Sequence, residues 1–381
     1  MALVTSIDTV TAPARLRSWL AKELPQVAEV EVSEIDRPLA GGLSNDVLFF
    51  HASWRVNGIA EHHDLVARMP PPTDGIYRTN DPASEARVMR TLAEHTAIPV
   101  PKVLFECDDP EVLGAPFLVM ERRRGRVPPD DPPFTMAGWV LDLTSDQRSR
   151  LADNALRQLC DIHAADWRGL GLEFLEYRAL AGHDVRSPQD GRTGLDLQIT
   201  YWSELYEWAA EESPSPTVEA ALQWAHSCRP DELGPPVLNW GDARTGNMIF
   251  AEDLTVTGVI DWEMATVAQP ELDLGWWLFG LRFHTEGIGV ALPPGYPSRL
   301  EAIERYEALT GHPVRHIEYY EGFAALRLSI ASIRAGRMMI EAGLLPPDSP
   351  MPTNNPASQL LARMLDLPAP AGTTVSYIGN R

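Results

Sequence analysis

The pattern of apolar and polar positions predicts a segment of strands followed by a mainly helical segment. Leu16, Leu20 and Leu24 recur at a four-residue spacing, and we predict that about the first 35 residues are helical. Short apolar runs after this point predict strands, because β-branched and aromatic residues favour a pleated, half-buried surface. The runs are residues 47–50, 65–69, 103–105 and 117–120.

Two local signals organise this first segment. Asn57-Gly58 separates the first two strands and predicts a hairpin, because both central residues of a type I′ turn need positive φ. Residues 82–94 place Ala86, Met89 and Leu92 on one face and predict a helix. The N-terminal third is therefore expected to combine a sheet with a helix.

The second segment begins after a connector. Residues 122–133 read RRRGRVPPDDPP, and a run so rich in Arg, Gly and Pro indicates an exposed linker. Thr144 and Gln147 then form a capping-box pattern that predicts the start of a helix. Further helices are expected over residues 272–283 and 315–342, and the Pro-rich end of the chain is expected to form an irregular surface strap.

Composition narrows the classes of function. Lys and Arg number 32 against 53 Asp and Glu, a formal charge of −21, so we predict no nucleic-acid partner. The negative charge would suit a cationic substrate, but it is also a common means of keeping a protein soluble. The three cysteines have neither a disulfide framework nor a metal-binding spacing, and no apolar run is long enough to span a membrane. We expect a cytoplasmic protein, and we predict no membrane or protein partner.

One stretch carries the residue types that phosphate chemistry needs. It reads VLNWGDARTGNMIF and is followed, after a short turn and a second apolar run, by DWEMA. Asp242 follows Gly241 on a loop, Asn247 precedes an apolar strand, and Asp261 ends the next strand. Antiparallel pairing of these two strands would bring Asn247 and Asp261 to the same end of a hairpin.

These three side chains suit phosphoryl transfer. Magnesium takes carboxylate and amide oxygens and keeps several waters, so Asn247 and Asp261 could hold it beside a phosphate. A second carboxylate, off the metal, must orient the acceptor hydroxyl and accept its proton, and Asp242 has that position. Each residue alone could be a turn former, a helix cap or a solvated strand end. The order and spacing of the three residues along the chain favour a catalytic role.

The order Asp-x-x-x-x-Asn followed by apolar-Asp-Trp-Glu resembles the aminoglycoside phosphotransferase family, which belongs with choline and homoserine kinases among the protein-kinase-like folds. The closest likeness is to a broad bacterial branch whose substrates are mostly unassigned. The resemblance implies that Asp242 is the catalytic base and that Asn247 and Asp261 bind Mg2+. It also implies ATP as the donor and a small molecule with a hydroxyl group as the acceptor.

Shorter matches extend the resemblance over residues 36–285. Ser44, in a Gly-Gly loop, would reach phosphates of ATP. Arg68 stands where most kinase-like enzymes have a phosphate-binding lysine, and an arginine can bridge two phosphate oxygens. Glu85 fits the helix glutamate that pairs with that cation, although both residues could be ordinary surface charges. Met120 and Glu121 match the hinge strand, whose backbone would bind the adenine edge.

The resemblance implies a two-lobed α+β fold. Residues 1–121 would form a small nucleotide-binding lobe with an antiparallel sheet, residues 122–133 the hinge, and residues 134–381 a larger helical lobe that carries the catalytic and substrate-binding residues. Asp273 would brace the catalytic loop from behind. Trp240 stands where the family usually has a histidine; that histidine is a structural brace, so the replacement bears on the acceptor rather than on the chemistry.

Several alternatives stay open. The acceptor could be an aminoglycoside, an amino alcohol, a sugar or a macrolide; an acidic pocket near Asp242 would favour the first, and an aromatic pocket a choline-like or apolar acceptor. The chain could also be an ATP-binding sensor with negligible turnover. A protein kinase is disfavoured, because Gln269-Pro270-Glu271 follows Asp261 too closely for a long peptide-docking loop.

Three further side chains have both a functional and a structural interpretation. His163 could be a base, but on an amphipathic helix we expect a packed, hydrogen-bonded histidine. Trp276 and Trp277 could line an acceptor pocket, but adjacent helical residues usually point one to the core and one outward.

Overall fold

The chain folds into a small lobe built on a β-sheet and a larger lobe built mainly of helices. The computed structural model describes residues 7–37, 45–70, 75–77, 81–176, 194–211 and 213–376. In chain order, the elements of the small lobe are helix α1 (Ala12–Glu23), strands β1 (Ala28–Val32), β2 (Asp46–Val56) and β3 (Ile59–Met69), helix α2 (Pro82–His95), strand β4 (Val103–Cys107), the short helix α3 (Pro110–Leu113) and strand β5 (Phe117–Glu121).

The five strands form one antiparallel sheet in the order β1-β2-β3-β5-β4. The predicted hairpin is confirmed: Asn57 and Gly58 connect β2 to β3 with φ of +52° and +82°. Because side chains alternate along a strand, β5 contributes apolar side chains to both faces of the sheet. Phe117 and Val119 pack towards α1, whereas Leu118 and Met120 pack towards α2.

The expected helical start is correct only for α1. Pro25 follows the last helical turn and stops it, because the residue before a proline is disfavoured in the α conformation. The next residues, AEVEV, alternate between apolar and charged and form β1, which pairs with β2 as an edge strand. The prediction of a helix over this stretch was therefore wrong.

The larger lobe begins after the connector and contains seven α-helices and two pairs of short strands among its described residues. In chain order they are α4 (Ser145–His163), α5 (Gly194–Ala209), α6 (Pro216–Ser227), β6 (Val237–Asn239), β7 (Met248–Phe250), β8 (Val256–Val259), β9 (Thr266–Ala268), α7 (Glu271–Arg282), α8 (Arg299–Thr310), α9 (Ile317–Glu341) and α10 (Pro356–Leu365). Two 3₁₀ turns (Glu173–Glu176 and Thr245–Asn247) and a π-helical turn (Phe283–Gly287) complete the set.

Most of the predicted helices of this lobe are confirmed. The capping box of α4 is complete: the Thr144 hydroxyl accepts from the Gln147 amide, and the Gln147 side chain accepts from the Thr144 amide. The long helix α9 is buried along much of its length and packs against α5, α6, α7 and α10. Of the adjacent tryptophans, Trp277 lies in the core and Trp276 is only partly buried, as expected.

The Pro-rich end of the chain departs from the prediction of an irregular strap. It contains α10, which Asn355 caps by accepting from the amides of Ala357 and Ser358. Leu360 and Leu361 bury one face of this helix against its neighbours. A proline in the first turn is compatible with a helix because the amide that it lacks has no partner there. Among the described residues, no helix has the length and apolar character that a membrane crossing requires.

Candidate active site

The hairpin of β7 and β8 brings Asn247 and Asp261 to one end, as the sequence predicts. Asn247 immediately precedes β7, and its carbonyl accepts from the amide of Ile260, which precedes Asp261. Asp261 has a left-handed backbone, with φ of +67°, which is unusual for a residue with a side chain and is typical of functional sites. The indole Nε1 of Trp240 lies 3.0 Å from the carbonyls of both Ile260 and Asp261 and fixes this turn.

The carboxylate of Asp242 is held by three side chains. The side-chain nitrogens of Asn247 and Trp276 each donate to it at 2.7 Å, and Arg244 Nε lies 3.1 and 2.9 Å from its two oxygens. Burial acts to raise the pKa of Asp242, but the positive charge of Arg244 and the donated hydrogen bonds outweigh it and leave the pKa below the ordinary 3.8. The site therefore keeps an ionised, oriented carboxylate.

Arg244 also contacts the connector between the lobes. Its Nη1 pairs with the carboxylate of Asp130, which lies against the backbone of Gly246. One guanidinium thus bridges Asp130 and Asp242, and it ties the connector to the loop that carries the candidate base.

The backbone before Asp242 is clamped from behind. Gly241 has a φ of +94°, and a side chain there would collide with the carbonyl of Met264, so only glycine fits. The fully buried carboxylate of Asp273 accepts from the amides of Trp240 and Gly241 at 2.6 and 2.8 Å. His163 is buried behind this contact, 3.4 Å from Asp273 and 2.6 Å from the Tyr306 hydroxyl, which is the packed position that we expected.

Arg68 links the two lobes through a cluster of carboxylates. Its Nη2 lies 2.6 Å from Asp261 and 3.3 Å from Glu263, and its Nε lies 3.3 Å from Glu85. Burial opposes the charge of Arg68, but the three carboxylates outweigh it and raise its pKa above the ordinary value. The side chains of Arg68 and Glu85 are only 10% and 5% exposed, so neither is an ordinary surface charge.

The other carboxylates of this cluster bind further groups. Glu85 accepts from the amide of Trp262, directly after Asp261, at 3.2 Å. Glu263 accepts from the side chain of Asn45 at 2.5 Å. Helix α2 and the start of β2 are thereby connected to the turn that carries Asp261.

Two of the remaining predicted residues, Met120 and Glu121, are the last two residues of β5. Met120 faces the core, and Glu121 ends β5 with its amide donating to the carbonyl of Lys102 at 3.0 Å, so that amide is already engaged. The Glu121 carboxylate pairs with Arg123 at 2.7 Å. Ser44 lies outside the described residues.

Sequence reasoning missed several side chains that complete the site. Arg244 could have been found, because it stands two residues after Asp242 on the same loop. Glu263 lies within the Asp-Trp-Glu run but carried no predicted role. Asp130 carried no signal, and Trp276 was considered only as a lining of the acceptor pocket, because only the tertiary fold brings the connector and helix α7 to the loop.

The comparisons with known proteins identify the family. The model of the Phosphotransferase enzyme family (APH) matches residues 36–323, and the chain belongs to this family. The fold also resembles that of a Ralstonia eutropha protein named after the aminoglycoside phosphotransferases, with a TM-score of 0.62, 21% identity and coverage of 94% of this chain and 96% of the other. The type I macrolide 2′-phosphotransferase matches with a TM-score of 0.54 and 16% identity over 89% and 95% of the two chains. These likenesses confirm a two-lobed, protein-kinase-like fold.

The curated relatives are longer proteins that are named as acyl-CoA dehydrogenases and not as phosphotransferases. The chain is 27% identical over 292 residues to the probable acyl-CoA dehydrogenase IBR3 of Arabidopsis thaliana. This alignment covers 71% of this chain and 32% of that protein. It is also 29% identical over 210 residues to human acyl-CoA dehydrogenase family member 11. That alignment covers 55% of this chain and 24% of the human protein. This chain thus spans about a quarter to a third of the length of these two relatives.

Proposed function

We propose that this chain transfers the γ-phosphoryl group of ATP, with Mg2+, to a hydroxyl group of a small molecule. The observation that carries the proposal is the arrangement at Asp242. Its carboxylate is ionised and held by Asn247, and the hairpin places Asp261 at the same end as Asn247. Membership of the phosphotransferase family supports the reaction class.

Asp242 would act on the acceptor. Its carboxylate would accept the hydroxyl proton while the acceptor oxygen bonds to the γ-phosphorus, the bond to the β–γ bridging oxygen breaks, and ADP leaves. Phosphoryl transfer depends mainly on positioning and charge stabilisation. The contacts from Trp276 and Arg244 serve the positioning, because they fix the direction in which the carboxylate points.

Arg68 would bind phosphates of ATP, with Glu85 holding its guanidinium. The planar fork of an arginine suits phosphate oxygens, so the absence of a lysine here leaves the role intact. One structural relative, a variant of APH(4)-Ia, was solved in a complex with ADP and hygromycin B, which supports a nucleotide donor. Contacts of the adenine edge with the backbone at Met120 and Glu121, and of phosphate with Ser44, remain predictions.

The residues at the end of the hairpin fit magnesium. Three carboxylates surround the one guanidinium of Arg68, so three negative charges against one positive give this cluster a formal charge of −2. The amide nitrogen of Asn247 donates to Asp242, which leaves the side-chain oxygen of Asn247 as a hard ligand at the same end of the hairpin as Asp261. When bound, magnesium would neutralise negative charge on the transferring phosphoryl group.

The surroundings of Asp242 favour an acceptor other than a polycation. Asp242 contacts an indole and a guanidinium, and Asp130, a second carboxylate nearby, is paired with Arg244. An aminoglycoside carries several ammonium groups and binds best to unpaired carboxylates. We therefore propose a choline-like or apolar alcohol as the acceptor, because an indole lies beside Asp242 and the nearby carboxylates are paired.

The experiment is ATP consumption with magnesium against a panel of acceptors, with Asp242→Asn beside the wild type. The panel includes aminoglycosides, amino alcohols, sugars, macrolides, and neutral and anionic alcohols. Asp253→Asn is the matched control, because Asp253 lies in the exposed turn between β7 and β8 and accepts from the amide and hydroxyl of nearby Thr255. We expect one acceptor to stimulate turnover, Asp242→Asn to reduce it by about a hundredfold or more, and Asp253→Asn to leave it unchanged.

The outcomes separate the alternatives. Full turnover in Asp242→Asn would overturn the role of Asp242 as the base. Binding of Mg2+-ATP without turnover on any acceptor would favour an ATP-binding sensor. Turnover that only aminoglycosides stimulate would contradict the proposed acceptor class and keep the proposed reaction.

We also propose the boundaries of the lobes and the location of the protein in the cell. We propose the lobe boundaries at residues 121/122 and 133/134, on either side of the connector. We propose a reducing, cytoplasmic location, because Cys107, Cys160 and Cys228 are all free thiols.

A further inference from the structure

Arg327 is a buried cation beneath the loop that carries Asp242. It lies on α9, is 1% exposed, and forms no ion pair with any described residue. Its Nε and Nη1 have no hydrogen-bond partner in the part of the chain that the structure describes. A buried guanidinium with two unsatisfied nitrogens is unfavourable for stability, so such a group needs an explanation in terms of what it contacts.

The contacts of Arg327 converge on Asp242 from two directions. Its Nη2 donates to the carbonyl of Gly241 at 2.8 Å. Its guanidinium carbon lies 4.3 Å above the ring of Trp276, whose indole nitrogen donates to Asp242. One side chain thus fixes both the backbone before Asp242 and the indole that orients its carboxylate.

The first of these contacts completes a clamp around Gly241. Asp273 holds the Gly241 amide at 2.8 Å, and Arg327 holds the carbonyl of the same residue. With φ at +94°, this glycine is the point at which the loop could most easily change direction, because glycine alone moves freely in that region. Holding both of its polar groups fixes the direction in which the chain enters Asp242.

The second contact supports the hydrogen bond from Trp276. Trp276 is only partly buried and lies at the edge of two apolar clusters of the larger lobe. The guanidinium lies over one face of that ring, and a cation over an indole is attracted to it most strongly where water is excluded. The ring centroid of Trp202 lies 5.2 Å from the same guanidinium carbon, so a second indole also contacts this group.

We propose that Arg327 is a positioning residue for phosphoryl transfer, which holds Asp242 in its reactive direction through Gly241 and Trp276. The inference rests on the proposed function. It extends the site to a side chain of α9 that does not touch the carboxylate, and it explains why an arginine without an ion pair is kept in the core.

The same helix offers a matched control. Arg334 stands seven residues further along α9, donates to the carbonyl of Gly75 at 3.0 Å and lies 5.0 Å from the ring of Trp208. It is also a buried arginine that contacts a glycine carbonyl and an indole, and its Nη1 lies 3.7 Å from Glu341. Neither Gly75 nor Trp208 is among the residues that hold Asp242. Arg327→Met and Arg334→Met therefore remove the same group from the same helix.

The experiment measures turnover, Mg2+-ATP affinity and melting temperature for wild type, Arg327→Met, Arg327→Lys and Arg334→Met. Turnover is measured with the acceptor from the panel, or with water where the panel yields none. We expect Arg327→Met to lower kcat by about a hundredfold, the effect of a small misplacement of a reacting group, with Mg2+-ATP affinity unchanged. Arg327→Lys should recover part of the loss, because lysine can donate to the Gly241 carbonyl but has no planar face for the indole. Arg334→Met should keep the wild-type kcat.

Equal losses of kcat in Arg327→Met and Arg334→Met, in step with equal losses of melting temperature, would overturn the proposal and leave Arg327 a structural residue. A loss of Mg2+-ATP affinity with kcat unchanged would also overturn it.

A second readout works without turnover. The indole N–H signal of Trp276 can be assigned in an NMR spectrum by its disappearance in Trp276→Phe. We expect this signal to shift in Arg327→Met and in Asp242→Asn, and to stay in place in Arg334→Met. An unchanged signal in Arg327→Met would overturn the inference, and this result does not depend on whether the proposed reaction occurs.

Discussion

Arg244 holds both carboxylate oxygens of Asp242 through its Nε, at 3.1 and 2.9 Å, and pairs with Asp130 through its Nη1. One side chain therefore supplies the main positive charge beside the candidate base and connects that base to the segment between the lobes. The low pKa of Asp242 depends first on this charge, since burial by itself acts in the opposite direction.

Arg244→Gln should lower turnover strongly. Without the guanidinium, burial would raise the pKa of Asp242 and its carboxylate would lose two hydrogen bonds, and we expect a fall of about 10- to 100-fold in kcat. The measurement is acceptor-dependent ATP consumption. Arg305→Gln is the control, because Arg305 pairs with Asp153 at the surface between α8 and α4. Equal turnover in the two variants would show that Arg244 is dispensable.

Arg68→Met should weaken nucleotide binding and destabilise the fold. The substitution would leave three carboxylates crowded at the interface of the lobes, and breaking a buried ion pair in this way destabilises by about 3 kcal/mol or more. Arg68→Lys should recover part of both losses. Titration calorimetry with Mg2+-ATP and urea unfolding measure the two effects. The surface variant Arg55→Met, which removes the exposed pair with Glu29, should show neither. Full nucleotide affinity in a folded Arg68→Met protein would contradict the role of Arg68.

Gly241→Ala should be far more damaging than Gly58→Ala. Both glycines have positive φ, +94° and +82°, so both substitutions carry the left-handed strain of about 1–2 kcal/mol. Only at Gly241 would the new methyl group also collide with the Met264 carbonyl, whereas open space surrounds Gly58. We expect Gly241→Ala to lower both the urea midpoint and kcat, and Gly58→Ala to lower the midpoint slightly and leave kcat unchanged. Similar midpoints would refute the steric argument.

Glu271 should make the protein less stable as the pH rises. Burial raises the pKa of this carboxyl above 4.5, although the amide of Arg315 donates to it. The folded state therefore binds the proton more tightly than the unfolded state, and stability is lost from about pH 4.5 upwards, through the pKa of the folded protein. We expect Glu271→Gln, which can still accept that hydrogen bond, to gain stability over wild type as the pH rises through this window. Urea midpoints at a series of pH values test this, with exposed Glu304→Gln as the control. A constant difference between Glu271→Gln and wild type across the series would contradict the prediction.

Local signals predicted which residues of the loop and hairpin lie together in the candidate site. The order of Gly241, Asp242, Asn247 and Asp261 lies within one short stretch, and a hairpin between two apolar strands has few ways to form. The Asn57-Gly58 turn and the Thr144 cap could also be predicted, because each depends on residues within a few positions of one another. The predictions at β1 and α10 were wrong because β1 is only five residues long and follows a helix closely, and because a proline in the first turn of α10 does not break that helix.

The sequence by itself determined the chemistry that the loop and hairpin can present, and it determined the family resemblance that the family comparison bears out. Only the tertiary structure decided which distant side chains complete that chemistry. Arg68 and Asp261 are 193 residues apart, and Trp276 reaches Asp242 from another helix. Such contacts depend on how helices and a sheet pack around shared cores, and no short-range pattern encodes them. This is why the carboxylate of Asp242 was predictable and the indole and buried arginine behind it were not.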